Sequence, residues 1–265
     1  MPSMVRRRTA VALCAALAVV VPALPAQAHH RPPAQPAQPA PLPQINDLLT
    51  GLLTALFPPG GAGSVAPTVQ QRVAASTLRI AGPDCNGVRV GSGFAARPDL
   101  AVTAAHVVAG VTRPEVLRPD GRRLPATVVA FDADRDLAVL RVSGLGQSPL
   151  PLGRAVMGTE GAVFGHPGGQ PQVEVSPATI VASGVARLPN LYGEPVSRRI
   201  IRLNSRLEPG DSGGPVVDGG GSVVGVAFAV STLRPDVAYA VTTQELEPVL
   251  GSSSTSPVST GPCIS

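Results

Sequence analysis

The feature that most constrains this chain is a succession of short β-branched runs between about residues 69 and 250, each cut off by Gly, Pro, Asp or Asn before it can lengthen. Residues 88–94, 100–103, 126–131, 137–142, 179–185, 200–203, 216–217, 223–228 and 237–240 have the composition of strands and are separated by turn formers. No β-α-β alternation occurs, which argues against a parallel sheet and for an antiparallel sandwich or barrel. Periodicity alone does not choose between these two.

Both ends differ from this middle. Arg6-Arg7-Arg8, an apolar stretch from about Thr9 to Leu24 and Ala26-Gln27-Ala28 follow the order of a secretory signal peptide, predicting residues 1–28 as a leader cleaved after Ala28. A membrane anchor is the alternative, but the stretch is broken by Pro22 and falls short of the roughly 20 residues of a spanning helix. Cys14 follows Leu13, not the small residue usual before a lipid-modified cysteine. Residues 29–68 then read as a Pro/Ala-rich spacer. Within it Ile45, Leu48, Leu49, Leu52, Leu53 and Leu56 recur at helical spacing, predicting a short amphipathic helix over about 45–57, either lying on the domain surface or serving as a pro-segment. Loss of the leader removes three arginines and no acid, so the formal net charge falls from +4 to +1. No nucleic-acid footprint of clustered basic charge remains.

Two cysteines follow the leader, Cys85 and Cys263. An even pair in an exported chain reads as one disulfide rather than a metal site, for which further ligands are missing, with a free pair as the alternative. A bridge here would restrict the unfolded chain by about 5 kcal/mol in the chain-entropy account. From Gly251 to Gly261 the chain is Ser/Thr-rich and is expected to run along the surface until Cys263 pins it.

Chemistry concentrates in Gly210-Asp211-Ser212-Gly213-Gly214-Pro215, directly before the apolar Val216-Val217. A serine hydroxyl attacks a carbonyl only when a base takes its proton and fixed donors meet the oxyanion. Ser212 is the candidate nucleophile, and the amides of Gly210 and Ser212 are the candidate donors. A plain glycine-rich turn is the bland alternative. The base must be a histidine, and beyond the spacer there are two, His106 and His166. His106 closes the run Val102-Thr103-Ala104-Ala105, a rigid place for an imidazole that titrates near neutral pH. The imidazole in turn needs a buried carboxylate to fix its tautomer. Asp132, Asp134 and Asp136 compete, and Asp136 is favoured because it directly precedes the apolar Leu137-Ala138-Val139-Leu140.

The chain order His106, Asp136, Ser212 resembles that of the chymotrypsin-like proteases. Thr103-Ala104-Ala105-His106, the segment 136–140 and the Gly210 to Pro215 motif are similar to the bacterial HtrA-like branch over roughly Val69 to Leu250. The placement of Cys85 ahead of His106 and Cys263 after the last strand resembles the actinobacterial MarP-type periplasmic proteases. The resemblance implies an all-β fold of two antiparallel six-stranded barrels, about 69–150 and about 151–250, within a protease domain spanning 69–265. It places the active site in the crevice between the barrels. It further implies a secreted or cell-envelope serine endopeptidase acting on proteins or peptides without metal or organic cofactor. Two departures limit the transfer. The chain shows a cleavable leader where MarP-type proteins carry membrane-spanning helices, so stable membrane insertion is not expected. Only fifteen residues follow Leu250, too few for the PDZ domain usual in HtrA proteins, so neither peptide sensing by such a module nor the family's trimer is carried over, and a monomer is the default.

His166, in Gly165-His166-Pro167-Gly168-Gly169, follows Asp136 and so stands out of order for the base. Its segment resembles the glycine-rich loop opening the second HtrA-like barrel, a structural role, with pH sensing or substrate contact as the alternative. Arg206, six residues before Ser212, falls where digestive relatives place the base of the specificity pocket, and a cation there would disfavour basic side chains before the scissile bond. Two rival functions use the same residues: a binding module with a latent triad, and an esterase.

Overall fold

The computed structural model describes residues 65–264. The predicted leader and the amphipathic helix over about 45–57 lie outside the described residues. The described chain starts with helix α1 (Pro67–Ser76), which the sequence reading did not foresee. Pro67 stands at its first position, where its missing N–H costs nothing, and the Thr77 hydroxyl donates to the Val73 carbonyl at 2.9 Å at its end.

Seven strands follow: β1 (Thr77–Pro83), β2 (Val88–Arg97), β3 (Leu100–Thr103), β4 (Glu115–Leu117), β5 (Arg123–Pro125), β6 (Thr127–Asp132) and β7 (Leu137–Arg141). They form one antiparallel sheet in the order β5-β4-β1-β2-β3-β7-β6. The expected first barrel thus has seven strands instead of six, and its two end strands, β5 and β6, do not pair with each other. The extra strand comes from the short β4–β5 hairpin, whose Pro and Arg content hid it from a reading based on β-branched runs. A single turn of helix, α2 (Ala105–Val108), follows β3.

The second unit is a closed six-stranded antiparallel barrel: β8 (Glu160–Gly165), β9 (Glu174–Pro189), β10 (Pro195–Asn204), β11 (Pro215–Asp218), β12 (Val223–Val230) and β13 (Val237–Thr242), in the order β10-β13-β12-β11-β8-β9. Helix α3 (Thr243–Gly251) ends it, and the tail returns along β6, where the Ser254 and Val258 amides donate to the carbonyls of Val129 and Val128.

One buried cluster joins the two units, bringing Phe94, Leu137 and Val139 of the sheet against Phe164, Val226 and Leu246 of the barrel side. Each such side chain contributes about 1.5–3 kcal/mol of hydrophobic stabilisation on burial. This shared core fixes the relative placement of the 103–106 corner, the 132–136 turn and the 205–214 loop, from which the site is built.

Candidate active site

His106 lies on α2 immediately after β3. Its backbone N–H donates to Asp136 Oδ1 at 2.9 Å, and its Nδ1 lies 2.8 Å from Asp136 Oδ2, so both carboxylate oxygens grip one residue. Asp136 is buried in the turn before β7, drawn in by the fully buried Leu137. It is the sole non-glycine residue with positive φ among the described residues, at 56°, a left-handed conformation that Asp tolerates better than most. When Nδ1 donates to this carboxylate, Nε2 is the ring nitrogen left to accept a proton. The two competing aspartates are engaged elsewhere. Asp132 pairs with Arg135 at 2.8 Å, and the exposed Asp134 accepts from the Asn190 side chain at 2.7 Å.

Ser212 sits in the loop entering β11. Its Oγ and His106 Nε2 are not hydrogen-bonded to each other in this arrangement, and catalytic hydrogen bonds often tighten only when substrate is bound. A chain of contacts registers the two residues. Thr103, three residues before His106, donates through its hydroxyl to the Ser92 carbonyl at 2.6 Å, and the Ser92 amide donates to the Ser212 carbonyl at 2.8 Å.

The amides around Ser212 are divided. Asp211 N–H donates to the Glu208 carbonyl at 3.0 Å, Gly213 N–H to Ala227 at 2.7 Å and Gly214 N–H to Asp211 at 2.9 Å. The amides of Gly210 and Ser212 have no acceptor among the described residues. The peptides carrying these donors are held from behind: Pro209 C=O accepts from Gly168 N–H at 2.7 Å and Asp211 C=O from Gly214 N–H at 2.9 Å, while the peptide between them is held where Gly210 C=O accepts from the Ser92 hydroxyl at 2.6 Å. Gly210 has φ 108°, and a Cβ there would run into the His166 carbonyl. Two unsatisfied amides on either side of Asp211 in the chain are suited to receive a developing oxyanion.

Asp211 is buried, with Oδ2 accepting the Glu208 amide at 2.8 Å. Burial, aided by the charges of Glu208 and Glu174 and opposed by the bond from Glu208, pushes its carboxyl up to about 6. His166 is buried too; its amide donates to Ser92 Oγ at 2.9 Å, its Nδ1 meets the Gln170 carbonyl at 3.0 Å, and burial lowers its pKa from the ordinary histidine value. It therefore braces the loop behind Gly210 and lies in the second barrel, apart from the His106–Asp136 pair.

Beside Ser212 opens a cavity of about 270 Å³ whose walls include Leu207, Ala227, Phe228 and Val230. Arg206 does not line it. It is exposed, and its charge acts on Asp236, while the half-buried Leu207 lies on the cavity wall. The expected specificity cation is thus replaced by apolar walls.

Cys85 and Cys263 are joined, their Cα atoms 6.1 Å apart. The tail is brought against the His106 corner: Gly110 N–H donates to the Thr260 carbonyl at 3.3 Å, and Arg89 bridges the carbonyls of Ile264 and His106 at 3.0 and 3.3 Å.

The sequence reading missed Ser92, Phe228 and Leu207. Ser92 had a signal: Gly91-Ser92-Gly93 interrupts an apolar strand with small residues, a mark of close backbone approach.

Residues 91–226 match the family model described as trypsin-like peptidase domain. Serine protease Rv3671c of Mycobacterium tuberculosis is 36% identical over 193 residues, covering 71% of this chain and 48% of that protein, so the chain spans about half the length of this curated relative. The crystal structure of the Rv3671c protease in its active form superposes with TM-score 0.72 at 34% identity, covering 76% of this chain and 93% of that one. The inactive form gives 0.63 at 33% identity, covering 71% and 93%. These matches bear out the resemblance to HtrA-like and MarP-type proteases read from the motifs.

Proposed function

The chain belongs to the trypsin-like peptidase family, and from that membership we propose that it is an exported serine endopeptidase. In this reading Ser212 attacks the scissile carbonyl while His106 Nε2 accepts the hydroxyl proton. Asp136 holds the ring and offsets the charge of the imidazolium that forms. The oxyanion draws on the amides of Gly210 and Ser212. The His106 proton then passes to the leaving amine, and water repeats the sequence on the acyl-enzyme.

The observation that carries the reading is the paired vacancy of those two amides while the Asp211 amide between them is tied down, together with a carboxylate gripping His106 at two points. The higher similarity to the active than to the inactive form of the Rv3671c protease supports the same view.

The cavity beside Ser212 supports cleavage after apolar residues. Glu208 is exposed, Asp211 turns its carboxyl to the Glu208 amide, and Leu207 and Phe228 supply the walls. Export is supported by the leader-like first 28 residues and by the Cys85–Cys263 bridge, which persists in oxidising compartments. Among the described residues no helix is long and apolar enough to cross a membrane.

Digestion of a peptide library tests the proposal. Cuts after Val, Leu, Ala or Met that vanish with Ser212→Ala are expected. Hydrolysis of small esters with every peptide left intact would replace the peptidase by an esterase.

A further inference from the structure

Arg198 is the one charged side chain on the inward face of β10, and it is only 5% exposed. Burying a guanidinium is costly, and such groups are normally matched by a carboxylate. Here the matching is indirect. The neighbouring acids Asp132 and Glu245 pair with Arg135 at 2.8 Å each, and Asp134 bonds to Asn190. Arg198 instead donates through Nη1 to the backbone carbonyl of Asp134 at 2.8 Å and lays its guanidinium over the Phe228 ring, 4.8 Å from the centroid. Its Nε is buried without a partner among the described residues.

These contacts reach two parts of the site at once. Asp134 lies two residues before Asp136 in the turn whose left-handed residue presents the carboxylate to His106. Phe228 is a wall of the cavity beside Ser212. The groups whose charge reaches the guanidinium are Asp136, Asp132 and Asp134 from the turn and Glu245 from α3, all favouring its charged form against the burial that opposes it. Arg135, the remaining cation of this cluster, is taken up by Asp132 and Glu245.

We propose that Arg198 is a positioning residue of the peptidase: it locks the turn that presents Asp136 and stiffens the Phe228 wall. The inference rests on the peptidase reading and deepens it. The stacked guanidinium also ties the seating of a substrate side chain against Phe228 to the geometry of the turn.

The test compares the unaltered chain with Arg198→Met, Arg198→Lys and Phe228→Leu. Each is assayed by fluorophosphonate labelling, thermal melting, and kcat and KM on a peptide with an apolar residue before the cut, at a temperature where every chain is folded. Arg198→Met is expected to label and to lose about tenfold in kcat while folded, because the turn that presents Asp136 is no longer held. Arg198→Lys keeps the charge but cannot both stack and reach the Asp134 carbonyl, so kcat falls severalfold. Phe228→Leu raises KM and leaves kcat near the parental value. Simple loosening of the fold lowers the melting temperature without this split between kcat and KM, so a parental kcat in folded Arg198→Met overturns the inference. If Arg198→Met does not fold, the lysine variant decides: kinetics indistinguishable from the unaltered chain overturn it. Failure of the unaltered chain to label overturns the peptidase reading itself, a result separate from labelled variants with parental kinetics.

Discussion

The Ser92 amide donates to the Ser212 carbonyl at 2.8 Å, so the serine of the second barrel hangs from a strand of the first. The same residue donates its hydroxyl to Gly210 at 2.6 Å and accepts from the His166 amide at 2.9 Å while being fully buried. Ser92→Ala leaves the part-buried Gly210 carbonyl and the buried His166 amide unpaired, at up to about 1–3 kcal/mol each. The predicted result is a chain less stable to urea whose kcat falls at least tenfold with KM little changed, since the loss falls on the loop that presents the Gly210 and Ser212 amides. Steady-state kinetics beside a urea titration reads both.

Gly210 lies at φ 108° with the His166 carbonyl where a Cβ would be. Gly210→Ala is expected to retain the fold, because the loop is exposed at Glu208 and Pro209 and can give way, but to turn the 209–210 peptide and withdraw one oxyanion donor. A loss of about 10²–10³ in kcat with a near-parental melting temperature is the expected outcome.

Asp211 carries a carboxyl raised to about 6, against an ordinary 3.8. Folding therefore favours its neutral form: the contribution is fully present below the ordinary value and lost as pH rises through about 6. The cost of the ionised form at pH 8 is about 3 kcal/mol on an order-of-magnitude scale. Asp211→Asn keeps an oxygen for the Glu208 amide and removes the ionisation, so its melting temperature should exceed the parent's at pH 8 and approach it at pH 4. Equal differences at both pH values would contradict this account.

Asp136→Asn presents an amide to His106 Nδ1 and exchanges the ring tautomer, leaving Nε2 protonated and unable to accept from Ser212. A fall of about 10⁴ in kcat near neutral pH is predicted, the size known for such an exchange in chymotrypsin-like sites. Partial recovery at high pH, followed in a pH profile, would distinguish the tautomer effect from collapse of the turn.

The Cys85–Cys263 bridge spans 178 residues of sequence and holds the tail against the His106 corner. Cys85→Ser is expected to lose up to about 5 kcal/mol of stability and to lose activity at physiological temperature as Arg89 releases the carbonyls of Ile264 and His106. Unchanged activity there would reduce the bridge to a stabilising clasp.

Much of this was legible in the sequence because the chemistry is local. Ser212 sits in a six-residue motif, and the strands that lead to His106 and follow Asp136 are continuous apolar runs. The β-branched runs found most of the strands that feed the shared core. They did not find β8, whose Glu160-Gly161-Ala162 dilutes its apolar part though Ala162 and Phe164 lie in that core, nor β1, whose Thr77-Leu78-Arg79-Ile80 mixes charge into a buried strand, nor the β4–β5 hairpin, nor α1 and α3, whose periodicity is weak. Arg206 was misplaced because counting back from Ser212 fixes a position along the chain and not the direction of a side chain; Leu207 takes the cavity. Ser92 and Arg198 were illegible as functional residues because their partners, Gly210 and Asp134, are remote in sequence and the contacts run largely to backbone.

The central claim is that Ser212 is a nucleophile activated by His106. Fluorophosphonate labelling of the purified chain beside Ser212→Ala and His106→Ala, followed by casein digestion, tests it most directly. The account predicts labelling and digestion in the unaltered chain and loss of both in each variant. A folded, unaltered chain that neither labels nor digests casein would contradict it and make this domain a latent or binding form of the peptidase fold.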